Sequence, residues 1–247
     1  MIALTQDFVE SCPVEGSFRM RGMDMTRIEV FVDAAFAFSV TMLVISFDAI
    51  PTSFAEMVVA IKGIPAFIAA VAQLMWIWHT HNKWSKRFGL DDAATVFLST
   101  DFLIVVLVYI YPIRVMAQGM FSWFTNGYLP SNFYMDSLQD LSDMFVFLGI
   151  GFIALCVVFI SMYRYAASRA VELRLSAIEL HEIRSVELIW MGVAVIGLAS
   201  VILARTLPIA HVPFSGFAFF LIGAWVPWIQ TRRYKSSPAR KTKLKKE

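Results

Sequence analysis

A few groups capable of chemistry stand inside stretches that are otherwise apolar. The run Arg27-Ile28-Glu29-Val30-Phe31-Val32-Asp33 leads without a break into the apolar stretch Ala34 to Phe47, His79 and His81 close a second such stretch, and Asp101 sits in a third. An ionised group near the bilayer interior costs about 2.5 to 3.5 kcal/mol even on a lenient insertion scale, so one retained there pairs inside a bundle or touches a water-filled path. Arg27, Asp33, His79 and Asp101 fall at compatible depths. Two chemistries fit them: a proton relay, or a buried network that fastens helices together. A metal site does not, because His79 and His81 are two residues apart and point to different faces of a helix. HExxH, GxSxG and P-loop patterns do not occur, and Cys12 and Cys156 offer neither a disulfide framework nor a CxxC pair. No metal, no cofactor and no enzyme chemistry is expected.

The elements that position these groups are membrane helices. Of 247 residues, 58% are hydrophobic and 16% charged, with a mean hydropathy of +0.66, well above the apolar share of soluble domains. Six segments reach the roughly 20 apolar residues that a crossing needs: 28–50, 57–80, 93–117, 141–163, 186–206 and 212–230. Pro51, Gly89, Asn126-Gly127 with Pro130, and Pro208 with Pro213 fall between them, where helix breakers belong. Lys62 and Pro65 leave the second segment free to begin near Gly63, with 54–61 at the interface. The class is all-α, with residues 1–26 a cytoplasmic amino-terminal segment, 27–230 a six-helix membrane domain and 231–247 a basic tail.

Basic residues orient the bundle. Arg19, Arg21 and Arg27; Lys83, Lys86 and Arg87; Arg164, Arg169, Arg174 and Arg184; and the eight from Arg232 to Lys246 place 18 of 21 on one side, leaving Lys62, Arg114 and Arg205. The positive-inside rule then makes both termini cytoplasmic in a multi-pass protein of the cell membrane. The first 26 residues lack the basic-then-apolar order of a cleavable signal peptide. The tail is read as a disordered, positive-inside retention signal near anionic lipid, with no role toward nucleic acid. Residues 164–185 read as an amphipathic cytoplasmic helix extending the fourth crossing.

On a helical wheel at about 100° per residue, Phe31, Phe38, Met42 and Ile45 fall within about 40° of one line, with Arg27 at its cytoplasmic end and Asp33 turned about 140° from Phe38. One face of the first helix is an apolar stripe with a basic mouth; the other presents a carboxylate to its neighbours.

Arg27-x-x-x-Phe31-x-Asp33-Ala34, with Thr41 eight residues beyond the aspartate, resembles the RxxxFSDA signature of the transmembrane-protein-175 family of potassium channels. Trp76-x-x-His79 is similar to that family's WxxHH ending of the second helix, and Pro112 with Asp101 eleven residues before it to the third. The resemblance covers roughly 27–112. It implies a homotetramer in the lipid bilayer, with the first helix lining a central pore and potassium as the permeant ion. Phe38 would form the main apolar constriction, Met42 and Ile45 further layers, and Thr41 and Ser39 pore-lining hydroxyls. Arg27, Phe31, Asp33, His79 and Asp101 would be the interhelical network. Val32 stands where the signature has serine, Phe38 where the family has isoleucine or leucine, and Asp101 where it has asparagine. The function implied is a potassium-selective or weakly selective cation channel. A proton-coupled secondary transporter and a non-conducting relative of the channels stand beside it.

Overall fold

Short polar punctuation cuts the apolar segments into helices that run further than the hydropathy alone. In the computed structural model, which describes residues 4–45, 51–131, 133 and 137–236, the long helices are α2 (Arg27–Ile45), α4 (Ile64–Phe88), α5 (Ala93–Phe124), α6 (Leu138–Ser168), α7 (Ala177–Thr206) and α8 (Leu221–Ser236). Two short helices, α1 (Gln6–Ser11) and α3 (Phe54–Lys62), precede α2 and α4, and a 3-10 helix, Ile209–Phe220, leads into α8. Five stretches among the described residues are long and apolar enough to cross a membrane: Phe54–Phe88, Ala93–Phe124, Gln139–Ser168, Ala177–Thr206 and Ala210–Tyr234. The first expected segment, 28–50, appears as α2, outside that group of five, and its residues 46–50 lie outside the described residues. The expected disordered tail lies there too from residue 237, whereas 231–236 continue α8.

Side-chain caps set the starts. Thr26 and Glu29 exchange bonds across the first turn of α2 (Thr26 N–H to Glu29 Oε2, 3.2 Å; Glu29 N–H to Thr26 Oγ1, 3.3 Å), and Ser137 with Asp140 and Ser176 with Glu179 form capping boxes on α6 and α7. Asp92 caps α5 by accepting from the Thr95 N–H at 2.9 Å, and it also accepts from the Tyr165 hydroxyl and, at 3.3 Å, from Arg169. Burial pushes the Asp92 carboxyl up, but these donors outweigh it and hold the group below its ordinary range.

The 164–185 stretch is not one helix. α6 stops at Ser168, a turn carries Arg174 at a φ of 47°, and the Ser176–Glu179 box starts α7 afresh. The break gives the linker a use. Leu4 N–H donates to the Glu172 carbonyl at 3.0 Å and Arg174 Nε to the Leu4 carbonyl at 2.6 Å, so the amino-terminal segment is tied onto it. That segment also holds a hairpin of β1 (Val14–Glu15) and β2 (Phe18–Arg19), a small addition to the all-α expectation. Phe18 is fully buried, edge-on to Phe88 at 5.8 Å and beneath the Arg87 guanidinium at 4.2 Å.

α4 to α7 enclose a core that includes Phe102, Phe159, Leu155, Met162 and Trp190. Small residues let the helices close up: a Cβ on Gly151 would stand 2.5 Å from the Tyr109 ring, and one on Gly149 would run into Val201. Polar side chains join helices where backbone acceptors are within reach, with Ser142 Oγ donating to the Ala204 carbonyl at 2.6 Å and Ser200 Oγ to the Ser215 carbonyl at 3.0 Å. The three basic residues left off the cytoplasmic side have partners. Lys62 lies 4.2 Å over the Tyr128 ring, Arg205 pairs with Asp143 at 2.6 Å, and Arg114 donates to the Leu43 carbonyl at 2.5 Å.

Candidate functional site

α2 packs by one face only. Val32, Phe36, Ser39 and Leu43 recur at helical spacing and are buried against α4 and α5, with Phe36 stacked on Phe102 at 5.7 Å. The opposite face is open. Arg27, Val30, Phe31, Ala34, Ala37, Phe38, Thr41 and Val44 are exposed, with Phe31 at 63% and Phe38 at 59%. Met42 is half-buried at the edge of that face. Ile45 ends the helix, and its side chain lies outside the described residues.

The hydroxyls divide between the faces. Thr41 is exposed and donates to the Ala37 carbonyl at 3.1 Å, which turns its lone pairs outward. Ser39, expected beside Phe38 as a pore-lining group, is 1% exposed and donates to the Ala35 carbonyl at 2.8 Å. One residue along a helix is a turn of about 100°, enough to carry Ser39 onto the packed face.

The expected network of Arg27, Phe31, Asp33, His79 and Asp101 does not form within one copy. Arg27, Phe31 and His79 are exposed, Asp101 is half-buried, and among the described residues no hydrogen bond or ion pair joins these five. Asp33 instead accepts from Trp78 Nε1 at 2.7 Å, which answers the demand of a half-buried carboxylate for a donor. His81 is the inward histidine: it is 3% exposed, stacked 4.6 Å from Phe102, with Nε2 3.5 Å from Ser99 Oγ. Trp76 and His79 are both exposed. The sequence Trp76-Ile-Trp78-His79-Thr-His81 holds the Trp-x-x-His spacing twice, and the fold uses the second pair.

His81→Ala should therefore destabilise the detergent-solubilised protein by about 3 kcal/mol, as truncation of a buried ring does, and His79→Ala by less than about 0.5 kcal/mol, as exposed positions do. Thermal unfolding of both variants checks this, and equal losses would contradict the assignment. Glu29, also in the charged foot of α2, is occupied as a cap; the Thr26-x-x-Glu29 pattern was legible but overshadowed by Asp33.

No protein-family model matches the sequence. Over 215 residues the chain is 32% identical to a protein of Marivirga tractuosa named "Potassium channel", a stretch that takes in 83% of this chain and 86% of that one. Among solved structures it resembles the potassium channel MtTMEM175, determined as a single-residue variant in complex with a nanobody–MBP fusion protein. The TM-score is 0.78 at 28% identity, covering 90% of this chain and 99% of that one.

Proposed function

The chain belongs to the transmembrane-protein-175 family of potassium channels, and we propose that four copies assemble about one axis with α2 of each lining the pore. It is a multi-pass membrane protein and a potassium channel; both relatives are ion channels, not enzymes. In this reading α2 is the sixth crossing, and the excess of basic residues places both termini in the cytoplasm.

The observation that carries the pore assignment is the open face of α2. Two phenylalanines and a threonine stand free on it, above Arg27, while the other face of the same helix is packed against α4 and α5. Such a face suits a pore wall, with Arg27 at the cytoplasmic mouth and the Thr41 hydroxyl presenting its lone pairs outward.

Four Phe38 side chains about an axis form an apolar ring. An ion crossing such a ring sheds water without receiving replacement oxygens, so the ring is a dewetting barrier rather than a carbonyl filter. Potassium, less tightly hydrated than sodium, meets the lower barrier. Thr41, about one turn beyond, offers oxygens to the partly dehydrated ion, and Met42 flanks the constriction. Phenyl groups are bulkier than aliphatic ones, so conduction requires the α2 helices to splay or the rings to rotate aside. Potassium is cargo here, and no resident cofactor enters.

Proteoliposomes holding the purified protein test this. Potassium efflux through the protein should exceed sodium efflux under matched gradients; an assembled protein that passes neither ion, with or without Phe38, would be a non-conducting relative instead.

A further inference from the structure

We propose that the buried pair Arg21–Glu179 is the root of the pore helix, and that Arg21 and Glu179 are positioning residues that set the width of the constriction at Phe38. This rests on the reading of α2 as the pore wall.

The pair is closed on both sides. All five guanidinium N–H groups of Arg21 have acceptors: Nε donates to the Leu173 carbonyl at 2.8 Å, Nη1 to the Arg19 carbonyl at 2.9 Å and Glu179 Oε1 at 2.7 Å, and Nη2 to the Arg174 carbonyl at 3.4 Å and Glu179 Oε2 at 3.0 Å. Glu179 also accepts from the Arg19 N–H at 3.0 Å and the Ser176 N–H at 2.8 Å. Both side chains are shut away from solvent, at 0% and 2% exposure. A bidentate pair so saturated fixes direction as well as distance. One residue later the chain crosses the end of α4, with Gly22 N–H donating to the Lys86 carbonyl at 3.0 Å.

Four residues, Met23 to Thr26, then separate this clamp from the first turn of α2, which the Thr26–Glu29 box makes firm. The pore helix is thus a rod aimed at its foot by the α6–α7 linker and by α4, and backed along its length by the packing of Val32, Phe36 and Leu43 against α4 and α5. Phe38 lies eleven residues above Arg27, about 16 Å up the rod at a rise of 1.5 Å per residue, so a tilt of about 10° at the foot moves Phe38 by about 3 Å. Four such shifts about an axis are large against a ring of phenyl groups. Displacements of the α6–α7 linker reach the constriction by the same lever, although linker and ring share no contact.

The test uses the full chain, reconstituted, with the ratio of potassium to sodium flux as its readout. Loss of protein scales both fluxes and leaves their ratio alone. Glu179→Gln keeps shape but strips the charge that orders Arg21, and the ratio should fall about fivefold, the lower end of couplings between distant sites. Gly149→Ala, which crowds Val201 between α6 and α7 far from the root, should keep the wild-type ratio despite its lost stability. Should Glu179→Gln not assemble, Glu179→Asp, which keeps the charge but shortens its reach, should show the same fall in smaller measure. A wild-type ratio in either conducting Glu179 variant overturns the proposal. Spin labels on Thr41→Cys give a readout independent of conduction: distances between copies should broaden in the Glu179 variants and not in Gly149→Ala, and unchanged distances likewise overturn it. A wild-type protein without potassium flux would instead strike the parent reading.

Discussion

Phe38→Ala should raise potassium flux through the reconstituted protein by about tenfold, equivalent to about 1.4 kcal/mol off the barrier, and should lower the preference for potassium over sodium. In the proposed tetramer four benzyl groups leave the axis at once, so the ring should wet more readily and both ions cross with more of their water retained. The substitution should cost the fold little, because Phe38 is 59% exposed in the single chain. Phe145→Ala is the matching control. Phe145 is 7% exposed and packs with Ala204 and Val212 in a cluster apart from α2, so its truncation should cost about 3 to 5 kcal/mol of stability and leave the flux ratio of the surviving protein unchanged. Parallel flux and ratio assays on tetramer-sized fractions separate the two. A Phe38→Ala protein with wild-type flux and ratio would place the barrier elsewhere.

Gly89→Ala should be among the most destabilising single-methyl additions in the chain. Gly89 ends α4 at a φ of 57°, its N–H donating to the Ser85 carbonyl at 2.8 Å, in the left-handed region that costs an alanine about 1 kcal/mol. The added Cβ would also stand 2.8 Å from the Arg21 carbonyl oxygen and 2.9 Å from Gly22 Cα. Backbone cannot step aside as a side-chain tip can, so overlap adds about 1 to 3 kcal/mol. The total, about 2 to 4 kcal/mol, is a large share of a typical folding free energy. Gly22→Ala, whose Cβ would press on the Ser85 carbonyl and stand 2.7 Å from Gly89 Cα, should be comparable without the left-handed strain. Gly223→Ala, in the first turn of α8 with open space around it, should be neutral or gain a few tenths of a kcal/mol, about half of the helix-interior difference at most. Thermal unfolding in detergent ranks the three. A Gly89→Ala protein as stable as Gly223→Ala would contradict the close crossing of the amino-terminal segment over α4.

The helices and the stripe were legible because each obeys a local rule. Apolar length placed the five crossing helices, and a 3.6-residue period put Phe31 and Phe38 on one face of the first helix before any neighbour was known. Helix ends ran further than expected where polar residues continue a helix past its apolar part, as at Ala177 to Ile183. The broken linker was half legible: Ser176-x-x-Glu179 is a capping box in the sequence, but the leucines at helical spacing on either side of Arg174 argued for continuity. Ser39 was misplaced by nearness in sequence to Phe38, where its angle on the wheel should have decided. Trp78 and His81 were hidden by a repeated spacing that only packing resolves. Nothing local foretold Arg21–Glu179, since the partners are 158 residues apart and each has the composition of an ordinary cytoplasmic loop.

The central claim is that the open face of α2 meets a symmetry axis. A single-particle structure of the full chain in lipid nanodiscs tests it most directly. Four copies around one axis are expected, with Phe38 of each nearest that axis and Ser39 turned away. Phe38 facing lipid, or an assembly whose axis runs past another helix, would contradict it.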